Sequence, residues 1–247
     1  MDTCPKCQHA LAQPTPTICP HCGVVFEKYL RYHADPNRPA PMPTTRVEFA
    51  PTPSADWVSD TYADSEFAFW GRALLLALFA LWSWILIVPP IAANAAGSSF
   101  LHLVNLPFHE AGHLIFRPFG AFVTSLGGTL GQLLMPTICM ATLFIKTRDP
   151  FGAALCLWWL GENFLDIAPY IDDARAGQLP LLGGNFGHSA PYGFHDWEYL
   201  LTESGQLAHD HAIAKFSKFV GSLTMLAALA GGSAILVRQR AILAARR

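Results

Sequence analysis

A chain of 247 residues with 52% hydrophobic and only 14% charged side chains is not an ordinary soluble domain, where about a quarter of residues are charged. Its mean hydropathy is +0.29, and a formal net charge of -2 excludes the basic surface that general nucleic-acid binding needs. The length suits one small soluble module and one membrane domain.

Residues 1-32 form the first predicted unit, polar and cysteine-rich rather than a signal peptide. Cys4-Pro5-Lys6-Cys7 and Cys19-Pro20-His21-Cys22 are two C-x-x-C turns separated by eleven residues. Each turn offers two thiolates, and together they complete a tetrahedral structural zinc site of the Cys4 type. The pairing argues against a redox dithiol, which needs only one such turn. The unit resembles a zinc ribbon. Such a site is closed, so the module is expected to bind a partner rather than catalyse, with His9 and His21 as bystanders. Cys139 and Cys156 lie in apolar runs and read as buried thiols.

Residues 33-66 read as a proline-rich linker with polyproline character, punctuated by Pro36, Pro39, Pro41, Pro43, Pro51 and Pro53. Residues 67-247 are the expected membrane domain. Apolar segments are predicted over Ala73-Val88 with its flanks, Ser99-Phe116, Gly128-Ile145, Phe151-Tyr170 and Phe216-Val237, with a polar loop region over about 172-214. Reduced thiols place the ribbon in the cytosol, and the C-terminal arginines favour the same side. Both ends inside require an even number of crossings, yet there are five segments. Either the His109 segment is re-entrant, which also puts Lys146 and Arg148 inside, or another segment is interfacial.

The second segment holds His109-Glu110-Ala111-Gly112-His113, an H-E-x-x-H motif in apolar surroundings. Histidines four apart share a helix face and can reach one zinc ion, and the glutamate beside them can take a proton from water. A buried pair of core histidines is the plain rival, but it leaves Glu110 in an apolar segment for no gain. Pro107 is expected to start the helix at its first turn, which makes His102 a packed or interfacial residue rather than a ligand.

A catalytic zinc needs a third protein ligand and an open position. Glu162, Asp166, Pro169 and Asp173 recur at helical spacing along the fourth segment. If segments two and four run parallel, matched depth favours Glu162 or Asp166 over Asp173. The glycine- and aromatic-rich stretch from Leu182 to Trp197 offers His195 and Asp196 as further candidates. Asn163 is a weaker candidate for oxyanion stabilisation, and His209-Asp210-His211 reads as a solvated helix face.

The apolar His109-Glu110-Ala111-Gly112-His113, followed by a distant acid-bearing helix, resembles the site-2-type intramembrane metalloproteases. The resemblance implies that His109 and His113 bind zinc, that Glu110 is the base, and that an aspartate on a later membrane helix is the third ligand. In that family the aspartate follows an N-x-x-P motif and precedes glycine. Here Asp166 stands three residues before Pro169, where the family has asparagine, and Ala174 follows Asp173 in place of the glycine. Glu162-x-x-x-Asp166 also has the spacing of soluble gluzincin peptidases, which implies Glu162 as ligand and Asp166 as the group orienting a ligand histidine.

The expectation is therefore an all-α multi-pass membrane helix bundle with a small N-terminal Cys4 zinc ribbon. Its function would be that of a membrane-embedded zinc metallopeptidase acting on membrane-protein or peptide substrates within the lipid bilayer. The alternatives are a non-catalytic membrane adaptor or scaffold whose ribbon binds a partner, and a zinc transporter using the same histidines.

Overall fold

A computed structural model describes residues 2-11, 16-33, 65-182 and 184-245. The chain divides into two compact units, Met1-Thr52 and Pro53-Arg247. The boundary lies in the expected linker, which falls almost wholly outside the described residues. Among the described residues the molecule is helical, with isolated β-bridges and no strand.

In the first unit, two similar turns present the cysteines. Cys4 N-H donates to His9 O and Cys19 N-H to Val24 O, both at 2.9 Å. The bridges Thr3-Ala10 and Ile18-Val25 close the two turns. The residue after the second cysteine of each turn has left-handed backbone, Gln8 at φ 59° and Gly23 at φ 69°. Glycine takes that conformation without strain; glutamine does so at some cost. Leu11 and Phe26 pack on the buried Cys4 and Cys19, and α1 (Phe26-His33) follows.

The second unit contains α2 (Glu66-Ile87), α3 (Phe100-Phe116), α4 (Ala121-Ile145), α5 (Pro150-Asp172), α6 (Asp196-Glu203) and α7 (Asp210-Ala245). The five longer helices coincide with the five apolar segments; α6 is an addition within the polar loop. Local chemistry sets their starts. Ser65 caps α2 by accepting the Ala68 N-H. Asp149 caps α5 by accepting the Gly152 N-H, with Pro150 pre-set for the first turn. Pro107 does not begin α3 but lies inside it. A proline ring there removes one helical hydrogen bond, and the helix nonetheless keeps His102 and the H-E-x-x-H motif on one element.

Glu66-Ile87, Ala121-Ile145 and Leu207-Ala245 are long and apolar enough to cross a membrane. Their outward sides are greasy: Phe67, Trp70, Leu78 and Trp84 on α2, and Phe216, Phe219 and Leu223 on α7, are exposed. Inside, Leu86, Trp158, Leu165, Met225 and Ala228 form a buried cluster joining α2, α5 and α7. Trp158 Nε1-H donates to Ser83 Oγ at 2.7 Å, so the indole enters the core with its donor satisfied.

Helix directions follow from the contacts at the two ends of this unit. At one end, Arg240 lies 3.7 Å from Glu66, Arg72 donates to Gln239, and Phe151 packs with Leu76 and Leu236. At the other, Lys218 donates to Pro89 O, His211 pairs with Asp172 at 2.6 Å, and Arg175 pairs with Asp210 at 2.7 Å. Of His209-Asp210-His211, the two histidines are exposed as expected of a solvated face, whereas Asp210 is fully buried against Arg175. Helices α2 and α5 run toward this second end, and α4 and α7 run away from it.

Candidate metal centres

The four cysteines of the first unit form one cluster. The Cys4-Cys22 and Cys7-Cys19 sulfur pairs are each 3.8 Å apart. Zinc-sulfur bonds of about 2.3 Å in tetrahedral array give sulfur-sulfur edges of about 3.8 Å, so the spacing fits one ion without rearrangement. Burial raises the Cys4 thiol, but the backbone N-H groups of Cys7 and Lys6 outweigh it and bring it down to about 6. The backbone N-H of His9 lowers the adjoining Cys7 thiol, but burial and the other three sulfurs outweigh it and push it up to about 12, so its proton would leave only as metal binds. His9 and His21 stack on each other, with ring centroids 4.5 Å apart, and neither belongs to the cluster.

The second group is His109, His113 and Asp196. The histidines lie on α3, one helical turn apart, with ring centroids 4.7 Å apart. His109 Nδ1 is 2.8 Å from Gln132 Oε1, and His113 Nδ1 donates to the Thr124 carbonyl at 2.8 Å. A carbonyl oxygen only accepts, so each Nδ1 carries the proton and each Nε2 keeps its lone pair for a ligand. Both Nε2 atoms converge on Asp196 Oδ2, at 3.1 and 3.3 Å. Metal-nitrogen and metal-oxygen bonds of about 2.0-2.1 Å in a tetrahedron give edges of about 3.3 Å. Two neutral imidazoles and one carboxylate are also the donor set of many zinc hydrolases.

Asp196 reaches this point as the first residue of α6. His195 caps the helix by accepting the Glu198 N-H on Nδ1 at 3.1 Å. The His195 ring is fully buried and stacks on Tyr170, with centroids 4.2 Å apart. Burial lowers its pKa against the pull of Asp173, so the ring is neutral. Asp196 N-H donates to Tyr170 Oη, and Ser125 Oγ donates to Asp196 Oδ1 at 2.8 Å.

Helix α4 makes room for the group. A Cβ on Gly128 would sit 2.6 Å from His113 Cε1 and closer still to His109 Nε2. Gly112, inside the H-E-x-x-H motif, meets Gly127 and Gly131 backbone to backbone, and a methyl on Gly112 would collide with the Gly127 carbonyl. Glu110 lines the same cavity as the three residues, a space of about 1100 Å³, and its side chain is exposed there.

Glu162 and Asp166 are not brought to the histidine pair. Asn105 Nδ2 donates to Glu162 Oε2 and to Asp166 Oδ2, both at 3.0 Å, and His102 pairs with Asp166 Oδ1 at 2.9 Å. These acids join α5 to the first half of α3, one or two turns before His109. Asp166 and His102 still line the cavity. Asp173 accepts the Gln178 and Leu179 N-H groups and holds the turn after α5. Asn163 is fully buried and donates to the Trp159 carbonyl, so it does not face the group either. The carboxylate beside His109 and His113 is Asp196.

Sequence reasoning passed over Thr124, Ser125, Gly128 and Gln132. A signal existed: Ser125, Gly128 and Gln132 recur at i, i+3 and i+7, a small and polar stripe on an otherwise apolar helix. No known protein family, curated protein or solved structure matches the chain.

Proposed function

We propose that the chain is a multi-pass membrane zinc peptidase, with a structural zinc at Cys4, Cys7, Cys19 and Cys22 and a catalytic zinc at His109, His113 and Asp196. One observation carries the reading. Two imidazoles with their Nδ1 atoms tied back aim both Nε2 atoms at one carboxylate oxygen, on a cavity wall that also bears Glu110. Both donor sets fit the ion in spacing and in chemistry.

Zinc bound there would supply a Lewis acid that polarises a carbonyl and brings the pKa of water toward about 7. Glu110 takes the proton of the attacking water and delivers it to the departing amine nitrogen. Gln132 and the Thr124 carbonyl hold the imidazoles in the tautomer that ligation requires. Ser125 and Tyr170 hold Asp196 at the head of α6. The Cys4 module, with its ligand set closed, takes no part in bond cleavage and serves to engage a partner, in the cytosol where its thiols stay reduced.

Metal analysis tests the reading first: purified protein should carry two zinc ions per chain. One ion, at the cysteines alone, would favour the adaptor. Glu110→Gln should retain both ions and lower cleavage by about 10²-10⁴-fold. New N-termini in membrane proteins of cells making the wild-type chain should vanish with this variant. Identical sets of termini would end the peptidase reading.

A further inference from the structure

The entry and exit of α3 bear on where the substrate comes from. The segment after α2 leads into α3 from the end of the bundle where Lys218 meets Pro89. There Ile91 packs against the cluster of Ile171 and Ala214. Helix α3 then returns through Arg117-Phe119 to the start of α4. That start is at the same end: Ser125 touches Asp196, while the far end of α4 is at the α4-α5 turn, where Leu143 abuts Gly152. Helix α3 therefore enters and leaves on one side.

Its depth can be read off its neighbours at about 1.5 Å per residue. Phe108 stacks edge-on with Trp159 of α5, about 20 Å from the end of that helix, and His109 meets Gln132, about 17 Å into α4. His113 and Asp196 meet Thr124 and Ser125, only about 5-6 Å into α4. Thus α3 is a wedge, and its metal-binding part rises from mid-depth at His109 to the shallow end at His113, where Asp196 comes in from the loop side. The cavity is walled by the loops of that end, including Asn94, Gly120, Leu181 and Phe194. At about 1100 Å³ it reaches the upper limit of pockets for small ligands, roughly 300-1,000 Å³, and has room for a stretch of extended chain.

With α3 as a wedge, the three helices apolar enough to cross, α2, α4 and α7, and α5, which runs between the same two ends of the bundle, make four crossings. Helix α5 is 23 residues long, and its acids Glu162 and Asp166 are turned inward onto Asn105, which leaves its span apolar toward neighbours. Four crossings place Glu66 and Ala245 on one side. That side carries Arg72, Lys146, Arg148, Arg238 and Arg240, and the sequence continues from Ala245 with two further arginines; the loop side of the domain carries Arg117, Arg175, Lys215 and Lys218. Arginine and lysine accumulate on cytosolic flanks.

We infer that the His109-His113-Asp196 site opens on the non-cytosolic face and takes as substrate an extended polypeptide segment presented at that membrane surface, not a helix in the bilayer midplane. The substrate part of this rests on the peptidase reading; the sidedness does not. An epitope inserted after Gly205, in an exposed turn of the loop end, should be digested by protease added to intact spheroplasts. The same epitope after Thr147 should be digested only after permeabilisation. The reverse pattern overturns the inference. A fluorescent protein that matures only in the cytosol, fused after Arg247, checks the same point without touching the bundle: bright cells support it and dark cells with normal protein levels overturn it. Because neither readout needs catalysis, loss of the peptidase reading through Glu110→Gln would leave them standing.

Discussion

The two candidate metal-binding groups of this chain are built in opposite ways. The cysteine cluster draws all four donors from one short stretch, Cys4 to Cys22, and each turn supplies its own backbone hydrogen bonds. The His109-His113-Asp196 group takes two donors from α3 and a third from 83 residues beyond His113, at the head of a short helix after a long loop. Local sites of the first kind are folded by their ion, and the binding energy is the folding energy. A site of the second kind is positioned by the scaffold: α4 fixes the histidines, and Ser125 with Tyr170 fixes the aspartate.

The largest expected effect tests that contrast directly. Cys19→Ser should remove the ion of the first unit and unfold it, since structural zinc contributes about 10-16 kcal/mol in small modules. The zinc content should fall from two to one, while Glu110-dependent cleavage persists in the purified protein. Next, Asp196→Ala should abolish the second ion and all cleavage. Glu162→Gln should keep both ions, because Glu162 contacts Asn105 and not the histidines. Retention of two ions in Asp196→Ala, or loss of one in Glu162→Gln, would restore the α5 acid as ligand. The smallest effect belongs to Ser125→Ala. It removes one hydrogen bond to Asp196, and metal affinity at this site should drop about 10-100-fold, read by competition with a chelator, with the cysteine site unchanged.

The same contrast explains what could be read in the amino-acid sequence. The two C-x-x-C turns are legible because everything the cluster needs is local. The five apolar segments are legible because lipid-facing and core-facing surfaces are both greasy, and α2, α3, α4, α5 and α7 follow them closely. His109 and His113 meet because a helix places i and i+4 on one face. Asp196 appears among the candidates, but matched depth favours Glu162 and Asp166 only if α3 and α5 run side by side across the bundle. Helix α3 instead enters and leaves on one side of the bundle, so its polar face meets α5 early, at His102 and Asn105, and meets α6 late. Pro107 misleads for a related reason: a proline marks a helix start only when the preceding residues have no packing of their own, and here Leu101 is half-buried and packs against the core.

The glycine seam between α3 and α4 decides which part of the larger site can yield. Gly112, Gly127 and Gly131 bring the two backbones into contact, and helices locked that closely neither slide nor roll without collision. Any widening of the cavity to admit a chain therefore falls on the covering segment that ends in Asp196. In the proposed peptidase, admitting substrate and loosening the hold on the ion would then be one motion.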